Sequence, residues 1–153
     1  MDAITWIDST IGIYLDNKIQ AHHIFDVMLS ELQTADELVI SSFAITEVWV
    51  RRLIRNKEKL NHIILILDFT VASRKARNTD FAAQNVNELY LTKQHSKTIY
   101  MRSGNRQMLA LISNNATNNQ RFESGVIFRD HPAINIYLQK LETVKNESAI
   151  WRI

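Results

Sequence analysis

The chain contains no cysteine, so it forms no disulfide and offers no thiolate ligand for zinc, and its redox compartment stays open. It has one proline and three glycines in 153 residues, and all four lie in or near the boundaries of the periodic segments described below. No linker, low-complexity run or internal repeat separates one part of the chain from another. No stretch approaches the roughly 18 consecutive apolar residues that mark a bilayer span. The opening Met1-Asp2-Ala3-Ile4-Thr5-Trp6-Ile7-Asp8 carries acids where a secretory leader carries Lys or Arg, which points to a cytoplasmic protein. Excess charge of one sign is also lacking, since the formal net charge is only +2. A chain of this length buries roughly 70% of its unfolded surface, enough for one sizeable core, and residues 1–153 are therefore read as one domain.

The charge that is present is unevenly placed. Residues 1–50 hold Lys18 alone against Asp2, Asp8, Asp16, Asp26, Glu31, Asp36, Glu37 and Glu47. Residues 51–77 reverse the sign, with Arg51, Arg52, Arg55, Lys57, Lys59, Arg74, Lys75 and Arg77 against Glu58 and Asp68. Such a section can steer a polyanion and bind it with salt-dependent affinity. Arg51 to Lys59 equally suits a solvated helix face, whereas Arg74-Lys75-x-Arg77 follows a strand end, where ligands gather in α/β folds.

Hydrophobic spacing supplies the element order. Ile24, Val27, Met28 and Leu32 recur at helical spacing within residues 20–34, and Val48, Leu53 and Ile54 do so within residues 45–60. Residues 37–43 read as a strand, and the apolar run from His62 to Asp68 is short enough for a strand buried on both faces. Residues 72–86 read as a polar helix or a helix plus loop. Residues 88–92, 96–101, 108–113 and 125–128 read as strands, three of them joined by turns rich in Gly, Asn and Thr, including Asn118-Asn119. A last helix starts at Pro132, which suits a first turn. Alternation followed by hairpins predicts an α/β sandwich with a mixed central sheet.

Chemistry concentrates in His95-Ser96-Lys97, followed by Ser113, Asn115 and Glu123. These residues can attack a phosphodiester without a metal. His95 can be the nucleophile, Lys97 and Asn115 can hold the non-bridging oxygens as a point charge and a neutral donor, and Glu123 can accept a proton from the far ring nitrogen and fix the tautomer. Other candidates read as structural. His22 and His23 are neighbours on a helix and point apart, so they form no two-histidine metal face. Trp6, Trp49, Trp151 and Tyr14 suit core or interface anchors better than a base-stacking platform.

The order His95-x-Lys97, Ser113-x-Asn115 and Glu123 opening an apolar strand resembles the phospholipase D superfamily, over about residues 36–143. Residues 1–35 form an N-terminal segment and first helix outside that stretch. In size and layout the chain resembles the short bacterial endonucleases that carry one such motif. Two positions depart from the pattern: Met101 and Arg102 occupy the stretch where the family has an Asp thought to support structure, and Ile112 replaces the Gly before the Ser, so that its side chain either enters the core or narrows the pocket.

The resemblance implies a phospholipase D-like fold, no cofactor, and a phosphodiesterase that is most simply a nuclease. In-line displacement needs a nucleophile on one side of phosphorus and an acid on the other. The family brings two motifs together, so one motif per chain implies a homodimer with the site on its twofold axis. His95 of one protomer would form a phosphohistidine and His95 of the other would protonate the leaving group. Arg74, Lys75, Arg77, Arg51 and Arg55 would bind DNA or RNA. A catalytically silent nucleic-acid-binding or assembly protein is the alternative, suggested by Arg102 and Ile112. A phospholipid phosphodiesterase is less favoured because no interfacial apolar helix is evident.

Overall fold

The computed structural model describes residues 3–117 and 120–151; the loop reading of Asn118-Asn119 lies outside them. The chain order is β1 (Thr5–Trp6), β2 (Ile11–Asp16), α1 (Ala21–Leu32), β3 (Glu37–Ser42), α2 (Glu47–Arg55), a 3-10 turn (Lys57–Lys59), β4 (Ile63–Asp68), α3 (Phe69–Arg74), α4 (Ala76–Gln84), β5 (Glu88–Thr92), β6 (Thr98–Ser103), β7 (Arg106–Ile112), β8 (Glu123–Arg129), α5 (Ala133–Asn146) and β9 (Ala149–Ile150). The strands form one mixed sheet in the order β1-β2-β8-β7-β6-β3-β4-β5-β9. Only β3, β4 and β5 run parallel to one another.

Local chemistry explains the main elements. In α1, Ile24, Phe25, Met28, Leu29 and Leu32 form one buried stripe, the spacing that a helix on a sheet requires. The hydroxyl of Thr46 caps α2 by accepting from the Trp49 amide at 3.4 Å, and Trp49, Val50 and Leu53 then face inward. Every residue of β4 is buried, because helices cover one face of this central strand and α5 covers the other. The turn between β6 and β7 places Gly104 at φ +61°, a conformation that suits glycine.

The core has two unequal layers. The larger gathers α1, α2 and α4 against one face of the sheet through residues such as Phe25, Trp49, Leu65 and Met108. The smaller sets Ile134 and Leu141 of α5 on Val39, Ile64, Tyr100 and Leu109. On that second face α5 leaves the β2–β8 side open. Ile13, Val126 and Leu111 are cross-strand neighbours there; Ile13 and Leu111 are exposed, and Leu15 is 72% exposed.

Three strands lie beyond the pattern read from the sequence. β2 pairs with β8 over six residues, bringing the N-terminal segment into the sheet, while β1 and β9 are two-residue strands at its margins. The predicted polar helix of residues 72–86 is a pair of helices. It begins earlier because Asp68 caps α3, accepting from the Thr70 amide at 3.0 Å.

Candidate active site

One rim of the sheet collects the chemistry. The carboxyl ends of β3, β4, β5 and β7 meet the amino ends of β6 and β8 there, as the pairs Ser41–Thr98, Asp68–Thr92, Thr98–Leu111 and Ile112–Gly125 establish. His95 occupies the turn entering β6, and its neighbour Gln94 pins that turn. The Gln94 side chain donates to the Ser42 carbonyl at 2.6 Å and the Ile66 carbonyl at 3.4 Å, while its backbone amide donates to Asp68 at 3.2 Å. The Ser96 hydroxyl donates back to Gln94 at 2.6 Å. With its flanks fixed, the His95 ring is exposed and rests against Phe43, centroids 4.5 Å apart at 47°.

Lys97 is half-buried. Its ammonium donates to the His95 carbonyl at 2.8 Å, and its own carbonyl accepts from the Ile112 amide at 3.0 Å. Asn115 uses its side-chain oxygen inward, accepting from the Phe43 amide at 3.2 Å and more distantly from the Ser42 hydroxyl at 3.5 Å. This leaves the amide nitrogen, the donor end, for a ligand oxygen. Between them Asn114 is buried: it accepts from the Tyr14 hydroxyl at 2.5 Å and donates to the Ile19 carbonyl at 3.0 Å. Burial, helped by the negative charge of Glu123, pushes the Tyr14 phenol well above its ordinary pKa, so Tyr14 remains a neutral donor to Asn114.

Lys97, Ile112, Ser113, Ser124 and Glu123 form a continuous row across β6, β7 and β8. The Ser113 hydroxyl donates to Glu123 and accepts from the Ser124 amide at 2.9 Å. Glu123 also faces Arg121 at 3.2 Å. The row reaches His95 through Lys97, and Asn115 reaches it through Phe43. Glu123 and His95 are not hydrogen-bonded to each other within the protomer among the described residues.

Both departures from the family pattern have a structural account. Ile112 turns into the larger core layer, opposite Gly125. A Cβ on Gly125 would meet the Ile112 side chain at 2.8 Å and the Tyr14 ring at 2.6 Å, so the absent side chain of one strand accommodates the bulky one of the next. Arg102 lies at the other end of β6, level with Glu37. It pairs with Asp36 at 3.4 Å, while the Gly104 amide donates to the same carboxylate at 2.7 Å.

The basic residues separate into two groups. Arg74 and Lys75 line a depression of about 390 Å³ together with Ala44, Val71 and Phe43, whose ring also contacts that of His95. Arg77 lies further along, in a neighbouring depression with Glu47, Asn78 and Phe81. Arg51 is engaged with Glu47 at 2.7 Å and lies over the Phe81 ring. Arg55 closes α2, which starts at the rim that holds His95 and runs towards the opposite end of the sheet, where Leu60 meets Ala35.

Asp68, Gln94, Asn114 and Phe43 were not singled out from the sequence. Asp68 followed by Phe-Thr at the end of an apolar run carries a helix-capping signal. The roles of the other three depend on partners distant in sequence. Asp68 is buried. Desolvation, the largest influence on its carboxyl, acts to raise the pKa, but hydrogen bonds from the Thr70 hydroxyl and from the Gln94 and Thr70 amides outweigh it and hold the group below the ordinary aspartate value.

No sequence-family profile matches the chain, and no curated protein sequence does. Solved structures do match. The fold is the one seen in a solved phospholipase D family member, and this chain carries a single His-x-Lys motif at the rim. NucT from Helicobacter pylori is similar with a TM-score of 0.74 at 12% identity, over 92% of this chain and 98% of that one. Nuc from Salmonella typhimurium, a phospholipase D family member, is similar with a TM-score of 0.69 at 15% identity, over 94% and 99%. Phosphatidylserine synthase from Haemophilus influenzae Rd KW20 gives 0.64 at 12% identity, over 96% of this chain and 41% of the synthase.

Proposed function

We propose that this protein is a metal-independent phosphodiesterase acting on nucleic acid, through a phosphohistidine formed at a site shared by two protomers. The observation that carries this reading is the composition of the rim: an exposed imidazole on a pinned turn, an ammonium, an outward amide donor, and a basic margin at Arg74 and Lys75. A ring nitrogen of His95 attacks phosphorus while the bond to the leaving oxygen breaks. His95 of the second protomer, protonated beforehand, gives its proton to that oxygen. In the second step it takes a proton from water, water oxygen bonds to phosphorus, and the phosphorus–nitrogen bond breaks. Lys97 and Asn115 from each protomer stabilise the equatorial oxygens, once Lys97 exchanges the His95 carbonyl for phosphate.

The exposed apolar surface on β2, β7 and β8 supports the shared site. Its edge meets the catalytic row at Ser113 and Ser124, so a second copy resting on that surface stands beside His95 and Lys97. The silent-binder reading drew on Arg102 and Ile112, yet Arg102 is paired with Asp36 away from the rim and Ile112 is housed by Gly125. The fold itself does not choose the substrate, since it also serves a phosphatidylserine synthase. The basic margin favours a polyanion, and no helix among the described residues is long and apolar enough to cross a membrane. Turnover of an activated phosphodiester by wild type in excess chelator, absent from His95→Ala, is the expected result. Strict dependence on magnesium or manganese would remove the mechanism, and failure to cleave any phosphodiester would leave the silent-binder reading.

A further inference from the structure

Phe43 stands outside the reacting set yet touches two of its members. Its backbone amide holds the Asn115 oxygen at 3.2 Å, its ring lies 4.5 Å from the His95 ring, and it lines the depression that also holds Ala44, Val71, Arg74 and Lys75. At about 390 Å³ that depression is near the small end of the range for small-molecule sites, roughly 300–1,000 Å³. Its lining combines an aromatic ring and two aliphatic side chains with two cations. Among the described residues neither Arg74 nor Lys75 forms an ion pair with a carboxylate, whereas Arg51, Arg52, Arg102, Arg106, Arg121 and Arg129 all do.

We infer that this depression is a nucleoside subsite: the base next to the scissile phosphate stacks on Phe43, and the following phosphate lies against Arg74 and Lys75. The inference rests on the nucleic-acid reading above and adds the direction in which the strand leaves His95. A ring fixed through its own backbone to a ligand-binding asparagine gives a base a platform already in register with the phosphate. Stacking accepts any base, because every base presents a π-face. The subsite therefore favours unpaired over paired nucleotides without reading sequence, since a base inside a duplex is already stacked on its neighbours.

The test compares Phe43→Ala, Phe43→Leu and Phe43→Trp with wild type on two substrates sharing a p-nitrophenolate leaving group, thymidine 5′-(p-nitrophenyl phosphate) and methyl p-nitrophenyl phosphate. Phe43→Ala and Phe43→Leu are expected to lose about tenfold more kcat/KM on the nucleoside substrate than on the methyl one, with Phe43→Trp retaining the wild-type ratio. A second measurement uses equilibrium binding of a short single strand carrying 2-aminopurine, against the same strand with an abasic site. Wild type should quench the fluorescent base and discriminate against the abasic strand, and Phe43→Leu should do neither. Nucleic-acid cleavage with the same substrate ratio in all variants would overturn the subsite while leaving the phosphodiesterase in place. Absence of both cleavage and single-strand binding in wild type would overturn both.

Discussion

In the proposed mechanism His95 and Lys97 are the reacting groups, and their loss is expected to act on chemistry alone. His95→Ala should reduce cleavage to background, and Lys97→Ala should lower kcat by roughly 10²–10³, the usual cost of one transition-state donor, with unchanged circular dichroism as the check on folding. Asn114 acts differently. Its two buried partners, the Tyr14 hydroxyl and the Ile19 carbonyl, would be left without hydrogen bonds in Asn114→Ala, at a cost of about 1–3 kcal/mol for each polar group stranded without water. Denaturant unfolding should register that cost, and activity in plain buffer should fall too, because Asn114 holds Ser113 and Asn115 on either side of it. At this scale the sequence offers candidates by chemical type and is silent on residues that only geometry singles out. An imidazole and an ammonium two residues apart declare themselves by type. Asn114, in the same Ser-Asn-Asn triplet, is indistinguishable from its neighbour until the fold sends one side chain into the core and the other to the rim. Gln94 and Phe43 are ordinary residues whose importance lies in contacts with Ser42, Asp68 and Asn115.

Among the elements, α3 is the one through which the basic margin and the turn carrying His95 are mechanically joined. Asp68 caps its first turn and also receives the Gln94 amide, so a single buried carboxylate ties the end of β4 to the helix carrying Arg74 and to the turn carrying His95. Because the folded pKa of Asp68 is depressed, the unfolded chain binds more protons on the acid side and stability rises with pH there. The contribution is complete above the unfolded value of about 3.9 and is lost as pH falls through the folded value. Asp68→Asn should therefore flatten the acid limb of a stability-versus-pH curve measured by urea unfolding; an unchanged limb would mean that other carboxylates set it. Arg74→Glu with Arg77→Glu should weaken DNA binding and reduce the slope of log K against log salt by about one for each phosphate that the variant no longer neutralises, and an unchanged slope would mark the cluster as a solvated face. Periodicity disclosed the helices α1, α2 and α5, since each buries a regular stripe, and short apolar runs disclosed β3 and β4, which are buried on both faces. It could not disclose β2, where Gly12 interrupts the apolar pattern and the outward residues Ile13 and Leu15 are as apolar as the inward ones. Nor could it disclose β1 and β9, whose two residues carry no period.

For the whole molecule, the shared site makes a prediction about stoichiometry. The protein should be dimeric in solution, and mixing wild type with excess His95→Ala should give heterodimers holding one imidazole per site. Each such site has a nucleophile without an acid or the reverse, so activity should fall roughly as the square of the wild-type fraction once subunits have exchanged; a linear fall after confirmed exchange would show that each chain works alone. What kind of assembly can form is constrained by the margins of the sheet. Among the described residues it terminates on both sides in strands of only two residues, β1 and β9. A long bare margin would present a ladder of unpaired amides and carbonyls on which further chains could add without limit. Here the outermost strands are short, pairing only with Gly12 and Ile13 of β2 and with Tyr90 and Leu91 of β5, and the larger exposed apolar surface is a face. Faces that meet about a twofold axis consume each other, so in the proposed dimer association through Leu15 and its neighbours would stop at two. The same brevity that hid the marginal strands from the sequence thus leaves each outermost strand only a two-residue ladder to offer a further chain.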